Sequence, residues 1–244
     1  MEVMPVLTDW VVPLDIDDVF VGQGADPLII RKRSPQLIPV AARALAEAEK
    51  LIRNVVVYTV LDVRELSHNR LKLEGDCELY GEFVTTHLWN ATRVFVVACT
   101  ISDALGQRIG ASMKTDIVYG MALDGIGSSA VQKLSSAASA RFSSWAAEEN
   151  LQTTIPFNPG IIGWPVKSGQ KQIFDILENV SREIRLSESS LMIPLKSLSF
   201  VLGVAPEVEY IGDPCQLCSL RETCMFRKKG TARDCHKNDI SEFH

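Results

Sequence analysis

The chain has 244 residues with a net charge of −5 at pH 7, and 46% of its residues are hydrophobic. This length can bury a substantial core within one large domain or a domain with appendages. The negative charge balance gives no overall basic field, and the aromatic share of 7% leaves few stacking surfaces. A nucleic-acid partner is therefore not expected.

Membrane insertion and secretion are not expected either. No apolar run reaches the length of a membrane-spanning helix. Residues 1–9 carry early acidic residues and lack the basic start of a signal peptide. We therefore expect a cytoplasmic protein with no membrane partner, in which cysteines act as thiolate ligands rather than in disulfides.

The first quarter of the chain predicts a lead-in, a helix and a strand. Residues 1–30 combine apolar runs with prolines and predict an extended segment. Ser34 and Pro35 are typical of a helix start, and apolar residues then recur at helical spacing as far as Ile52. Residues 55–61 are β-branched and aromatic, which predicts a strand.

The next segment predicts the centre of a sheet. Residues 71–75 alternate weakly and favour a short strand, and residues 81–89 favour a helix. Residues 93–100 form a continuous apolar run of strand length, which is typical of a central strand. Cys99 within this run, and Cys77 before it, are each interpreted as small buried hydrophobic residues.

Two helices are predicted after the central strand. Residues 102–109 favour a short capped helix, and residues 128–149 give the longest amphipathic pattern. The polar face of this longer helix is small and hydroxylic, with serines at Ser129, Ser136, Ser139 and Ser143. Such a face indicates either solvated surface or close packing of a second element, and both readings stay open.

Residues 153–167 interrupt the periodicity and predict a long ordered loop. Prolines and glycines punctuate this loop, and Trp164 lies within it. Loops of this length in compact domains are usually functional or disordered, and the large aromatic residue and fixed prolines argue against disorder. Helical spacing resumes over residues 173–184, and residues 191–195 and 197–202 predict short strands.

The elements are interspersed without strict alternation, and no glycine-rich strand-to-helix turn of the nucleotide-binding type occurs. This favours an α+β fold. Aliphatic content falls near Ile211, which predicts a domain over residues 1–211 and a small tail over residues 212–244.

The tail carries a metal-binding pattern. Its cysteines have the spacing C-x2-C-x5-C-x10-C and are Cys215, Cys218, Cys224 and Cys235. Four thiolates suit either an iron–sulfur cluster or tetrahedral zinc, and His236 could also bind zinc. Residues 221–237 include six Lys and Arg residues but only two acidic residues. This positive surplus would offset thiolate charge and favours a cluster slightly.

Three further segments, taken in order, carry a family resemblance. They are residues 94–102 followed by 121–131, the loop 157–165 followed by 172–177, and residues 190–203. Together they resemble the activation domain of cobalamin-dependent methionine synthase in its free-standing version. The resemblance extends loosely over residues 17–211.

The resemblance implies an α+β fold with a twisted antiparallel sheet and flanking helices. It also implies S-adenosylmethionine as a candidate ligand, a corrinoid-carrying methyltransferase as partner and an electron donor. Asn158, Pro159, Gly160 and Trp164 would form the loop that faces the ligand or corrinoid, and Asp124 would lie in the groove wall. The family's loop arginine is replaced here by Pro156, which has no side-chain donor.

These observations predict an accessory protein for reductive activation of a corrinoid methyltransferase, with the tail cysteines holding the redox centre. The alternative is a non-catalytic scaffold that binds a corrinoid protein and has a structural zinc tail. A weaker reading is an S-adenosylmethionine-dependent methyltransferase for a small substrate, which no glycine-rich motif supports.

Overall fold

The computed structural model describes residues 6–177 and 183–208, together with Leu217 and Glu222. The helices in this part of the chain are α1 (Ile16–Val21), α2 (Pro27–Arg33), α3 (Leu37–Leu51), α4 (Glu82–His87), α5 (Ala104–Ser112), α6 (Ile117–Glu148) and α7 (Val166–Leu177). The strands are β1 (Val6–Leu7), β2 (Val55–Ser67), β3 (Arg70–Leu73), β4 (Glu78–Tyr80), β5 (Arg93–Thr100), β6 (Gln152–Thr153), β7 (Arg185–Leu186), β8 (Met192–Ile193) and β9 (Ser197–Ala205).

The main sheet is antiparallel and has the order β4-β3-β2-β5-β9-β6, with β1 paired to β2. Strand β5 lies between β2 and β9 and pairs with both along its full length. Its continuous apolar sequence fits this position, because a central strand is covered on both faces. The prediction of a central strand over residues 93–100 is therefore confirmed.

Alternate residues of the three long strands enter two separate cores. Val56, Phe95 and Phe200 face one core, which includes buried residues of α1, α3, α5 and α6. Val57, Val96 and Val201 face the other core, which includes buried residues of α4 and α7. The sheet is thus the middle layer between two helical layers, and the predicted α+β class with an antiparallel sheet is confirmed.

The N-terminal region differs from the sequence prediction. Residues 1–30 were expected to be extended, but α1 and α2 lie within them. The acidic cluster before α1 is a capping box: the Asp15 carboxylate accepts the backbone N–H of Asp18, and the Asp18 carboxylate accepts that of Asp15. Ser34 is the C-cap of α2 rather than the N-cap of the next helix. The short helices were missed because neither is long enough to show a period.

Helix α6 begins eleven residues before the predicted start at residue 128, at Ile117. The Asp116 carboxylate caps it by accepting the Tyr119 backbone N–H at 3.1 Å. Glycines obscure the helical pattern in the early part of this helix, because glycine lowers helix propensity. α1, α3 and α5 all pack against α6, so α6 is the central helix of one helical layer.

The four tail cysteines predicted as metal ligands, Cys215, Cys218, Cys224 and Cys235, lie outside the described residues. The predicted domain boundary at Ile211 also lies outside them. Cys99 is fully buried, as predicted, whereas Cys77 is only half-buried. In the described part of the chain, no helix is both long and apolar enough to cross a membrane.

Candidate functional site

The loop between β6 and α7 covers the outer edge of β9. The Thr154 N–H donates to the Gly203 carbonyl at 2.9 Å, and Phe157 and Val201 exchange two backbone hydrogen bonds of 3.0 Å. The Asn158 side-chain amide then donates to the Ser199 carbonyl at 2.9 Å. Asn158 therefore continues the pairing along β9 where the backbone of the loop turns away.

The turn that follows is fixed by glycine and by α7. Gly160 has a φ of 109°, which disfavours residues with a side chain. Its N–H donates to the Trp164 carbonyl at 2.8 Å, so this donor is used inside the turn. Pro159 packs against Gly169 of α7, where a Cβ would come within 2.9 Å of the proline ring. The loop is thus held from the sheet side and from the helix side.

Trp164 is fully buried beneath this turn. Its indole N–H donates to Gln172 Oε1 at 3.3 Å, and the Tyr80 backbone N–H donates to the same oxygen at 2.8 Å. The sequence suggested that Trp164 could cover an apolar or cationic surface. The burial assigns it a different position: it supports the loop from below, and its ring faces protein.

A polar cluster lies on α6 beside the start of β9. Lys196 immediately precedes β9, and its Nζ lies 2.8 Å from Asp124 Oδ1 and donates to Ser128 Oγ at 2.8 Å. The Lys196 side chain is 17% exposed, whereas that of Asp124 is 47% exposed. An ammonium group has three protons, so the third N–H of Lys196 can meet a further acceptor.

The two parts of the predicted site contact the chain three residues apart, at Lys196 and at Ser199 of β9. Asn158 binds Ser199 at the sheet edge, and Lys196 joins the start of the strand to Asp124. Sequence reasoning named Asp124 but missed Lys196. The sequence showed only a lysine between an apolar Pro-Leu pair and a predicted strand. A single lysine in that position is usually exposed to solvent and has no specific role.

The described residues hold no group of three or more His, Cys, Asp or Glu side chains that could bind a metal ion. Burial raises the pKa of the Cys99 thiol to about 12, so this group is an inert core thiol. The Cys77 pKa is also raised, first by burial and then by the nearby Asp76 carboxylate. Neither cysteine offers a thiolate near neutral pH.

No protein-family model matches the sequence, and no curated protein matches it. Among solved structures, the fold is similar to one titled "Crystal Structure of the MetH Reactivation Domain bound to AdoHcy". The TM-score is 0.58 at 15% sequence identity, and the match covers 81% of this chain and 76% of that chain. The likeness shows a shared fold, which is the architecture expected from the sequence resemblance.

Proposed function

We propose that this chain, which shares the fold of the MetH reactivation domain, is an accessory protein for reactivating a corrinoid-dependent methyltransferase. The observation that carries the proposal is the likeness over 81% of the chain to a domain crystallised with AdoHcy. S-adenosylmethionine, when bound, supplies the methyl group for the corrinoid on the partner once an electron has been delivered. The role of this chain is to hold the ligand and present it.

The ligand site we propose lies between the loop at residues 158–160 and the Asp124–Lys196 pair. The ligand's amino acid end needs a cation for its carboxylate, and Pro156 cannot supply one. Lys196 can, through its third N–H. The half-exposed Asp124 carboxylate can accept hydrogen bonds from an ammonium or from ribose hydroxyls. The residues therefore fit such a ligand, with a lysine replacing the family's arginine.

The partner surface we propose begins on the same face of α6. Ile117, Met121 and Asp124 follow one another at helical spacing, and Ile117 and Met121 are both at least half exposed. Leu195, next to Lys196, is 71% exposed. Exposed apolar side chains that group beside a polar site are typical of docking surfaces. We assign this surface to the corrinoid-carrying partner.

The proposal gives the tail, residues 212–244, the role of holding a metal centre. Cys215, Cys218, Cys224 and Cys235 would hold an iron–sulfur cluster that passes an electron from a donor protein, or else zinc. Metal analysis of protein purified without oxygen separates the two, since a cluster gives iron with acid-labile sulfide and a brown colour. Colourless protein with stoichiometric zinc would remove the redox part of the proposal.

Calorimetric titration with AdoHcy and S-adenosylmethionine tests the ligand site. We expect both to bind, and Lys196→Met to weaken binding about tenfold or more through loss of a charge-assisted hydrogen bond. Lys133→Met is the matched control, because Lys133 of α6, like Lys196, pairs with a carboxylate, that of Asp18, at 2.6 Å. Absence of binding at about 1 mM ligand, or equal binding by both variants, would count against the site.

The second candidate function is a scaffold that binds a corrinoid protein without an adenosyl ligand. Three features favour it: Pro156 has no donor, the Asn158 amide is used at the sheet edge, and Trp164 is buried. A scaffold predicts complex formation with a corrinoid protein, zinc in the tail and no heat of AdoHcy binding.

A further inference from the structure

A residue of the tail, Leu217, contacts the loop between β6 and α7. The Ile162 backbone N–H donates to the Leu217 carbonyl at 2.9 Å. By contrast, the N–H groups of Gly160 and Trp164 donate to carbonyls within the loop itself, at 2.8 and 3.0 Å. The hydrogen bond of Ile162 therefore connects the loop to a distant segment of the chain.

The Leu217 side chain adds an apolar contact at the same position. It is partly buried and packs against the core that contains Phe157, Trp164 and Ile173. Burial of an apolar side chain stabilises a contact in proportion to the area that is removed from water. A backbone hydrogen bond and an apolar anchor thus act together, and they define a docking site on the domain for this part of the tail.

Leu217 lies in the sequence between two of the cysteines that we propose as metal ligands, Cys215 and Cys218. Neither cysteine is more than two residues away, and two residues of chain span at most about 7 Å. A metal centre held by thiolates on both sides of Leu217 restricts the backbone of this segment, because both of its ends are fixed. Less conformational entropy then remains to be lost when Leu217 docks.

We infer that the loop between β6 and α7 is the docking site of the tail, with Leu217 as the anchor, and that docking and metal binding in the tail strengthen each other. The inference rests on the metal-binding role that we propose for the tail, and it adds the position of that centre. Ile162 follows Gly160 by two residues. The metal centre is therefore held beside the turn that we propose to face the adenosyl ligand and the corrinoid.

Hydrogen exchange of the Ile162 amide in the full chain tests the docking. We expect Leu217→Ala to speed this exchange about fivefold, because the variant keeps the carbonyl acceptor but loses much of the apolar anchor. Leu28→Ala is the matched control, since Leu28 of α2 is 75% exposed, and it should leave the Ile162 rate unchanged. The amide of Val96 in β5 reports on the global fold and should exchange at nearly the same rate in the wild type and both variants.

Two results would overturn the docking. The first is an Ile162 exchange rate that is equal in the wild type and in Leu217→Ala. The second is protection of Ile162 that rises with protein concentration and does not depend on Leu217. That result would assign this surface to a second copy of the chain.

Titration of metal-free protein with Zn²⁺, in competition with a chromogenic chelator, tests the coupling. We expect Zn²⁺ to slow Ile162 exchange about threefold or more, and Leu217→Ala to weaken Zn²⁺ binding, because coupling between two sites is reciprocal. Leu28→Ala should bind Zn²⁺ as tightly as the wild type. Zn²⁺ binding without either effect would overturn the coupling and leave the metal role of the tail intact. Absence of Zn²⁺ binding would remove both, and the Ile162 rates would still decide the docking.

Discussion

Glu47 of α3 joins three helices through one carboxylate. It accepts hydrogen bonds from the Arg108 guanidinium of α5 and from the Tyr119 hydroxyl of α6. The Arg43 guanidinium lies 4.0 Å from the centroid of the Tyr119 ring. The Arg108 hydrogen bond, followed by that of Tyr119, holds the pKa of Glu47 below its ordinary value of 4.5. Burial raises the Tyr119 pKa, with a further contribution from Glu47.

We predict that Glu47→Gln lowers the free energy of unfolding by about 1 kcal/mol at pH 7, because it weakens two hydrogen bonds to a charged, partly exposed group. A lowered folded-state pKa means that this stabilisation is present above the unfolded pKa and is lost as pH falls through the folded value. The difference between wild type and variant should therefore shrink below about pH 4.5. Urea unfolding at several pH values measures it.

Glu49→Gln is the control for this prediction, since Glu49 lies two residues further along α3 and is exposed. It should leave the free energy of unfolding nearly unchanged at every pH. A Glu47→Gln difference that stays constant down to pH 3 would contradict the charged hydrogen-bond account.

Single residues of the site were only partly predictable from the sequence. The loop at 153–167 was predicted as ordered, and it is, because its prolines and glycines fix a turn. The direction of its side chains was not predictable: Asn158 completes a sheet edge, and Trp164 points into the core. Both orientations depend on contacts with other elements: Asn158 binds Ser199 of β9, which lies 41 residues later in the chain, and Trp164 binds Gln172 of α7.

At the scale of elements, the contact between α1 and α6 depends on small residues. A Cβ on Gly22 would lie 1.9 Å from the Gly125 carbonyl oxygen, and one on Gly125 would lie 2.3 Å from the Val19 oxygen. Ser129 Oγ donates to the Asp18 carbonyl at 2.7 Å. Ser136, further along the same face, is exposed. The serine-rich face is thus closely packed at Ser129 and exposed to solvent at Ser136. Each of the two interpretations therefore holds for one part of this face.

We predict that Gly125→Ala destabilises the protein by about 2–4 kcal/mol, because the new methyl group collides with rigid backbone. Gly110→Ala on α5 is the matched control. No atom lies within 4 Å of a Cβ placed there, and alanine favours the helix, so this change should stabilise by about 0.5–1 kcal/mol. Thermal or urea unfolding of both variants measures the effects, and similar stability of the two would contradict the close contact.

Long elements were predictable from the sequence, and short ones were not. The first half of β2 and all of β5 show β-branched or apolar runs, and β9 is largely apolar, because these segments are buried in the middle of the sheet. α3 and the later part of α6 show helical periodicity. α1 and α2 have six and seven residues, fewer than two turns, and depend on capping carboxylates. α1 also packs against α6, and α2 packs against α1. The sequence of a short helix does not show which helix it packs against, or that glycines in that helix permit close contact.

At the scale of the whole molecule, the sheet separates two surfaces with different chemistry. One carries Lys196, Asp124 and the exposed side chains of α6, and the other is covered by α4 and α7. The loop at residues 158–164 lies at the edge between them, where Asn158 binds β9 and Trp164 binds Gln172 of α7.

The central claim is that this chain serves a corrinoid partner. The most direct measurement is the absorption spectrum of the corrinoid-binding module of a cobalamin-dependent methionine synthase in its Co(II) state. The spectrum is recorded after the module is mixed with S-adenosylmethionine, a chemical reductant and this protein. We predict conversion to the methylcobalamin spectrum, which requires this protein and is slower with Lys196→Met than with Lys133→Met. An unchanged spectrum, with no complex on gel filtration, would contradict the account.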